Sequence, residues 1–287
     1  MFGTQAHASI NGLLNSMAHV NRPLVVSHGG VAVGTIPPNT AASVRAALHS
    51  GADIVKIDVS ASVDNIFYAF HDGTEPELLG VDRNIQSMAA ADIAELTYHW
   101  KNRPGRRAHV ERLVAILTEF RGAPALFALD RSWWRWPTLL RVLDGLRMPS
   151  QLLLKVPSWE TAAMNALRQH RTPYPVLAIC SSLDELDGLP LSDHDLNIVG
   201  VELIAHDENN VWFDPDTIAA IHDRDLMVWV NSETLTTGIP LFGGYDDERC
   251  VLPSPSAAWS RLLELGVDAV QTELPWLLRD LREVRGR

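Results

Sequence analysis

The stretch LVVSHGGVAVGTIPPNTAASVRAALHSGADIVKIDV, residues 24–59, decides the fold. It opens on an apolar, β-branched run, Leu24–His28, takes helical spacing over 40–50, and returns to a second apolar run over 53–59. Gly51 sits where a helix should stop. Strand, helix and strand in this order predict a βα unit with parallel strands. The rhythm continues outward. Further apolar runs lie at 125–130, 151–155, 175–179, 197–203, 226–231 and 268–272. Helical spacing falls at 110–120, 134–146, 159–171, 214–223, 256–265 and 276–284. Asp214 and Pro215 read as an N-cap followed by proline at the first helical position, and Gly266 as another stop. Eight such units predict an α/β protein, a single (β/α)8 TIM barrel with its chemistry at the C-terminal strand ends. The alternative is an open doubly wound sheet, but residues 29–34 fit neither common glycine-rich nucleotide pattern. A small extended segment, 66–70, is inserted after the second strand. In residues 1–22, Ile10, Leu13, Leu14 and Met17 recur at helical spacing, which predicts an extension closing the barrel bottom. Residues 23–287 are then the barrel itself.

Composition narrows the function. The chain has 287 residues, 46% apolar and 21% charged, with 24 Lys+Arg against 35 Asp+Glu for a net charge of −11. That length supports a large core, and no apolar run approaches the roughly 20 residues of a membrane span. An acidic balance without basic clusters argues against nucleic acid as a partner. Cys180 and Cys250 are the only cysteines, which leaves no disulfide framework and no cysteine-rich zinc site. The N-terminus lacks a basic region followed by an apolar core, so no signal peptide is read and a cytoplasmic location is expected. No oligomeric state is read.

The strand ends collect a polar set. The first run ends in His28. The second carries Lys56 and Asp58, two apart and so on one face. The inserted segment ends in His71 and Asp72, the third run in Asp130 and Arg131, and the fourth in Lys155. The sixth carries Glu202, the seventh ends in Trp229 and Asn231, and the last in Gln271, Thr272 and Glu273. Two histidines, several carboxylates and three cations around one opening suit proton transfer at an anionic centre. Structural readings compete with this one. Asp58 could cap a loop, Asp130 could cap the helix that follows, and Lys155 could simply pair with a carboxylate. Trp133, Trp134 and Trp136 are expected to pack outside the barrel. His49, His99, His109, His170, His194 and His222 are expected to be surface groups. Trp212 and Trp229 are candidates for stacking on a sugar or glycerol face, with core packing favoured for Trp212. The loops 78–102 and 235–255 are expected to cover the pocket.

At these residues the sequence resembles the glycerophosphodiester phosphodiesterase family of barrel enzymes. The matching segments are 27–30, 38–40, 51–59, 70–72, 129–131 and 266–275, in matching order and spacing over roughly 24–280, and 242–251 looks like a bacterial branch. The resemblance implies that His28 and His71 are the acid/base pair. It also implies a divalent cation, magnesium or calcium, held by a Glu-x-Asp motif and a later acid, here Asp58 and Asp130. This chain departs from the pattern. Lys56 replaces the motif Glu, Gly29 the phosphate-contacting Arg, Pro38 a Glu, and Glu273 an Asp. A lysine beside a dication is repulsive, so either Asp58 and Asp130 hold a weakly bound ion, or the Lys56 ammonium takes the ion's place. The second is preferred, a site independent of metal.

The function expected is that of a phosphodiesterase, a phosphoric diester hydrolase acting on a small glycerophosphodiester-like or sugar phosphodiester. His28 and His71 exchange protons, and Lys56, Arg131, Lys155, Glu202 and Trp229 bind the substrate and its phosphate. One alternative is a transferase or cyclase that uses a substrate hydroxyl as acceptor. The other is a non-catalytic phosphodiester-binding relative, since a fold does not fix a function.

Overall fold

The computed structural model describes residues 1–99, 107–251 and 257–285. Parallel strands β1 (Leu24–His28), β2 (Ile54–Ala61), β4 (Leu126–Asp130), β5 (Leu152–Pro157), β6 (Val176–Cys180), β7 (Ile198–Leu203), β8 (Met227–Asn231) and β9 (Ala269–Thr272) hydrogen-bond in a ring. The ring closes because β1 pairs with both β2 and β9. Strand β3 (Phe67–Ala69) lies outside it, antiparallel to β2 with Ser60 opposite Tyr68. This is the inserted segment, and it leads the chain to His71. The fold is the TIM barrel expected from the repeated βα rhythm.

Alternation along the strands sorts the side chains into two cores. Residues 25, 55, 57, 127, 152, 154, 228 and 270 point outward into the layer between sheet and helices. Residues 24, 26, 54, 126, 128, 153, 227, 229 and 269 point inward and fill the lower barrel. Helix Ala8–Val20 lies against this inner cluster. Leu14 is part of it, Leu13 and Met17 pack on it, and buried Asn11 exchanges hydrogen bonds of 2.9 and 2.8 Å with Asn197. Carried upward, the same alternation brings His28, Lys56, Asp58, Asp130, Lys155, Asn231 and Gln271 to the upper opening.

Helices lie between most strands. Ala41–His49 begins at Thr40, whose hydroxyl caps the Ser43 N–H, and Gly51 at φ +85° turns the chain into β2. The helices over 136–146, 161–168, 215–222 and 275–285 fall inside or beside the stretches read for them. Between β6 and β7 the structure has one short helix, Leu183–Asp187, capped by Ser182. It is too short to show a period in sequence. The excursion 62–112 builds a satellite core from Tyr68, Phe70, Leu79, Ile85, Met88, Ile93, Tyr98 and Val110. Parts of the expected loops 78–102 and 235–255, and the start of the helix expected at 256, lie outside the described residues.

Candidate active site

Register sets the site. His28 pairs with Lys56 across β1 and β2, and Asp58 with Asp130 across β2 and β4. The Lys56 ammonium is hydrogen-bonded to Asp58 and stands 3.4 Å from Asp130 Oδ2. Lys155 Nζ lies 2.9 Å from the same Asp130 oxygen and 2.8 Å from Glu202 Oε2. Glu202 accepts from Asn231 Nδ2 at 2.5 Å, and Asn231 Oδ1 accepts from the Trp229 indole at 3.1 Å. The upper barrel therefore holds a buried chain of alternating charge, Glu202, Lys155, Asp130, Lys56 and Asp58. Burial opposes ionisation of Lys155, Asp130, Lys56 and Asp58. The ammonium groups nevertheless lower Asp58 and bring Asp130 down to about 2, while the carboxylates raise both lysines. All four stay charged at neutral pH.

Asn39 fixes Asp58 from the side. Its backbone is left-handed, φ +56°, a conformation asparagine tolerates. Its amide donates to Asp58 Oδ2 at 3.1 Å, and its carbonyl accepts from the Asp58 N–H at 3.0 Å. Gly30, at φ +76°, lets the turn after β1 close on Ser43, whose backbone carbon lies 2.5 Å from where a Cβ would stand.

Both histidines line one cleft of about 420 Å³, together with Asp58, Asn39, Thr74, Glu77 and Glu273. Their second ring nitrogens differ. His71 Nδ1 lies 2.9 Å from the Asp72 backbone carbonyl, which can only accept, so Nδ1 carries a proton and, in the neutral ring, Nε2 holds the lone pair. His28 Nδ1 lies 3.1 Å from Glu233 Oε2 and 3.8 Å from Glu273 Oε1. Burial opposes charging the His28 ring, but the Glu233 carboxylate outweighs it and the pKa is raised. Gln271 Nε2 holds the other Glu233 oxygen at 3.0 Å. Glu233 is the site residue the sequence reading missed. It follows Trp229 and Asn231 at a spacing of two, so the alternation of β8 continued past its end could have found it.

Four residues expected at the substrate are engaged elsewhere. Trp229 is fully buried, its indole engaged by Asn231 and its ring 5.5 Å from the Lys155 ammonium, so it cannot stack on a sugar. Lys155 and Glu202 are buried beneath the opening and bind one another. They shape the site from below. Arg131, left-handed at φ +57°, donates its Nε to Asp72 at 3.0 Å, which ties the turn after β4 to the His71 turn. Among the tryptophans read as outside packing, Trp136 is fully buried in the outer core and Trp134 lies exposed under Arg135. His170 and His222, read as surface groups, are half-buried. His222 binds the buried Asp268 at 2.8 Å, and His170 binds Asp144 at 3.0 Å.

The donor set does not fit a divalent cation. The two carboxylates able to face it are occupied by ammonium groups, and Lys56 stands between them where a third acidic ligand would be needed. Among the described residues, no three His, Cys, Asp or Glu side chains come together as a metal site.

Residues 31–133 match the model of the Glycerophosphoryl diester phosphodiesterase family. No curated protein matches the sequence. Solved structures share the fold. A glycerophosphodiester phosphodiesterase from Agrobacterium tumefaciens is 20% identical, with a TM-score of 0.65 over 89% of this chain and 98% of its own. An Oleispira antarctica phosphodiesterase, solved with its product sn-glycerol-3-phosphate, is 19% identical, with a TM-score of 0.65 over 94% and 99%. A Thermotoga maritima glycerophosphodiester phosphodiesterase is 14% identical, with a TM-score of 0.63 over 92% and 98%. Residues 31–133 thus resemble the glycerophosphoryl diester phosphodiesterase family, on a barrel fold shared nearly end to end with these structures.

Proposed function

We propose that this chain hydrolyses a phosphodiester of small alcohols by proton transfer between His71 and His28, with the Lys56 ammonium in place of a metal ion. The observation that carries the reading is the pair of unlike histidines on one cleft, one held by a carbonyl and one by a carboxylate. His71 Nε2 takes a proton from water as the water oxygen bonds to phosphorus. The bond from phosphorus to the leaving alcohol breaks, and His28, kept protonated by Glu233, gives its proton to the departing oxygen. A phosphomonoester and a free alcohol result. Lys56, buried beneath the cleft and held by Asp58 and Asp130, supplies fixed positive charge under the phosphate oxygens and costs no reorganisation during the reaction. The family-model match over residues 31–133 supports the reaction class. The ion pairs of Lys56 support the altered centre.

A phosphorus NMR time course of the purified protein with glycerophosphodiesters and sugar phosphodiesters tests this. A new phosphomonoester signal is expected. A cyclic diester would assign the transfer to an internal hydroxyl instead, and unchanged spectra across the panel would contradict the reading.

A further inference from the structure

The walls of the cleft differ from its floor. His28, His71 and Asp58 form the reacting end, and Asn39 is engaged with Asp58. The Thr74 hydroxyl donates to the His71 carbonyl at 2.7 Å. The rest of the lining is mostly apolar: Ala32, Val33 and Pro38 from the turn after β1, Leu78 from the His71 excursion, and Leu274 and Trp276 after β9. Glu77 and Glu273 stand exposed at the rim. Between Gly29 and Val44 the chain has no charged residue, although this stretch edges a site built for an anion.

At Val33 the cleft meets a second groove of about 550 Å³, between the same turn and helix Ala41–His49. Val33, Ile36, Ala42 and Ala46 line it together with Gly34, Thr35 and His49. Arg45, also on this groove, is neutralised by Glu119 and offers its aliphatic stem. Val33 is 49% exposed at the junction, an apolar side chain shared by both hollows. A polyol would need hydrogen-bond partners along this path; where cleft and groove meet it offers methyl groups and an indole, and the polar side chains of the groove are Thr35, Arg45 and His49.

We infer that one alcohol of the diester carries an apolar chain, alkyl or acyl, which leaves the catalytic cleft over Val33 and lies in the groove against helix Ala41–His49. The groove is continuous with the cleft at Val33, so a chain leaving the cleft there enters it directly. The inference rests on the phosphodiesterase reading. The rim carboxylates Glu77 and Glu273 further disfavour an alcohol bearing a second anion.

Binding of a series of alkyl phosphates, methyl to hexyl, measured by calorimetry on the full chain, tests the inference without turnover. Affinity is expected to rise about threefold to fourfold per methylene. Val33→Asp and, separately, Ile36→Asp are expected to flatten that rise, and both sites are accessible enough to solvent for the variants to fold. Equal affinity along the series would overturn the apolar chain and leave the catalytic reading standing. Phosphocholine binding tighter than hexyl phosphate would also overturn it, by placing a cation between Glu77 and Glu273. Failure of every phosphate to bind would instead overturn the site reading on which it rests.

Discussion

His28 and His71 carry the same ring but meet different partners, and their chemistry follows from the partners. A backbone carbonyl fixes a tautomer without adding charge, whereas the Glu233 carboxylate also stabilises the imidazolium. His28→Ala and His71→Ala should each lower turnover by about 10²–10⁴. Losses below tenfold in both variants would remove the pair from the mechanism. Glu233→Gln keeps a hydrogen-bond acceptor but removes the charge, so the His28 pKa falls. The alkaline limb of the rate profile, where the acid loses its proton, should then move to lower pH. An unmoved limb would mean that His28 is not the acid. His28 and His71 are legible because each closes an extended run. Glu233 and Gln271 act across two strands, and single-chain spacing records such a contact poorly.

The segment after β8 is an element in its own right. Helix Asp247–Val251 is fastened to the end of β9 by Asp247, which accepts from the Thr272 hydroxyl at 2.7 Å and the Glu273 N–H at 2.6 Å. On the other side, Gly243 N–H bonds to Ala205 O at 2.7 Å, and the Tyr245 hydroxyl bonds to Glu208 at 3.1 Å. The segment thus straps the ends of β7 and β9 beside the Glu233–His28 pair. Burial pushes the Asp247 carboxyl up to about 7, with Glu233 adding repulsion. A carboxyl whose folded pKa lies above its unfolded value binds its proton more tightly in the fold. Its contribution is complete below about pH 4 and is lost as pH rises through about 7. Asp247→Asn should therefore flatten the decline in stability between those values in denaturant melts. A decline of unchanged slope would show that Asp247 does not titrate there. The sequence showed a distinct 242–251 stretch but not its fastening, because Thr272 and Glu273 are remote in sequence and adjacent only once the barrel closes.

At the scale of the whole barrel, the lower half is an apolar plug and the upper half a row of alternating charge. The inward positions were legible as strand period, down to Lys56 and Asp58 on one face. The depth of Lys155, Glu202 and Trp229 was not, since period assigns a face and leaves exposure to the packing above it. A buried row of this kind is sensitive to the loss of one member. Lys155→Met leaves Glu202 without its ammonium and Asp130 with only the more distant Lys56, and should destabilise the protein by about 3–5 kcal/mol. Unfolding at unchanged denaturant concentration would refute the arrangement. Asp58 and Asp130 titrate lower in the fold than in the unfolded chain, so their stabilisation is in place above about pH 4. It is lost as pH falls toward about 2, and acid unfolding should set in across that window. If the row has no place for a dication, Lys56→Glu should create one, with manganese binding by calorimetry expected for the variant and not for the parent chain. The central claim is that Lys56 supplies the charge a metal would. Its most direct test is the phosphorus NMR time course repeated in excess EDTA. A phosphomonoester is expected to form at the same rate with and without the chelator. Loss of product in EDTA, restored by magnesium or calcium, would contradict it.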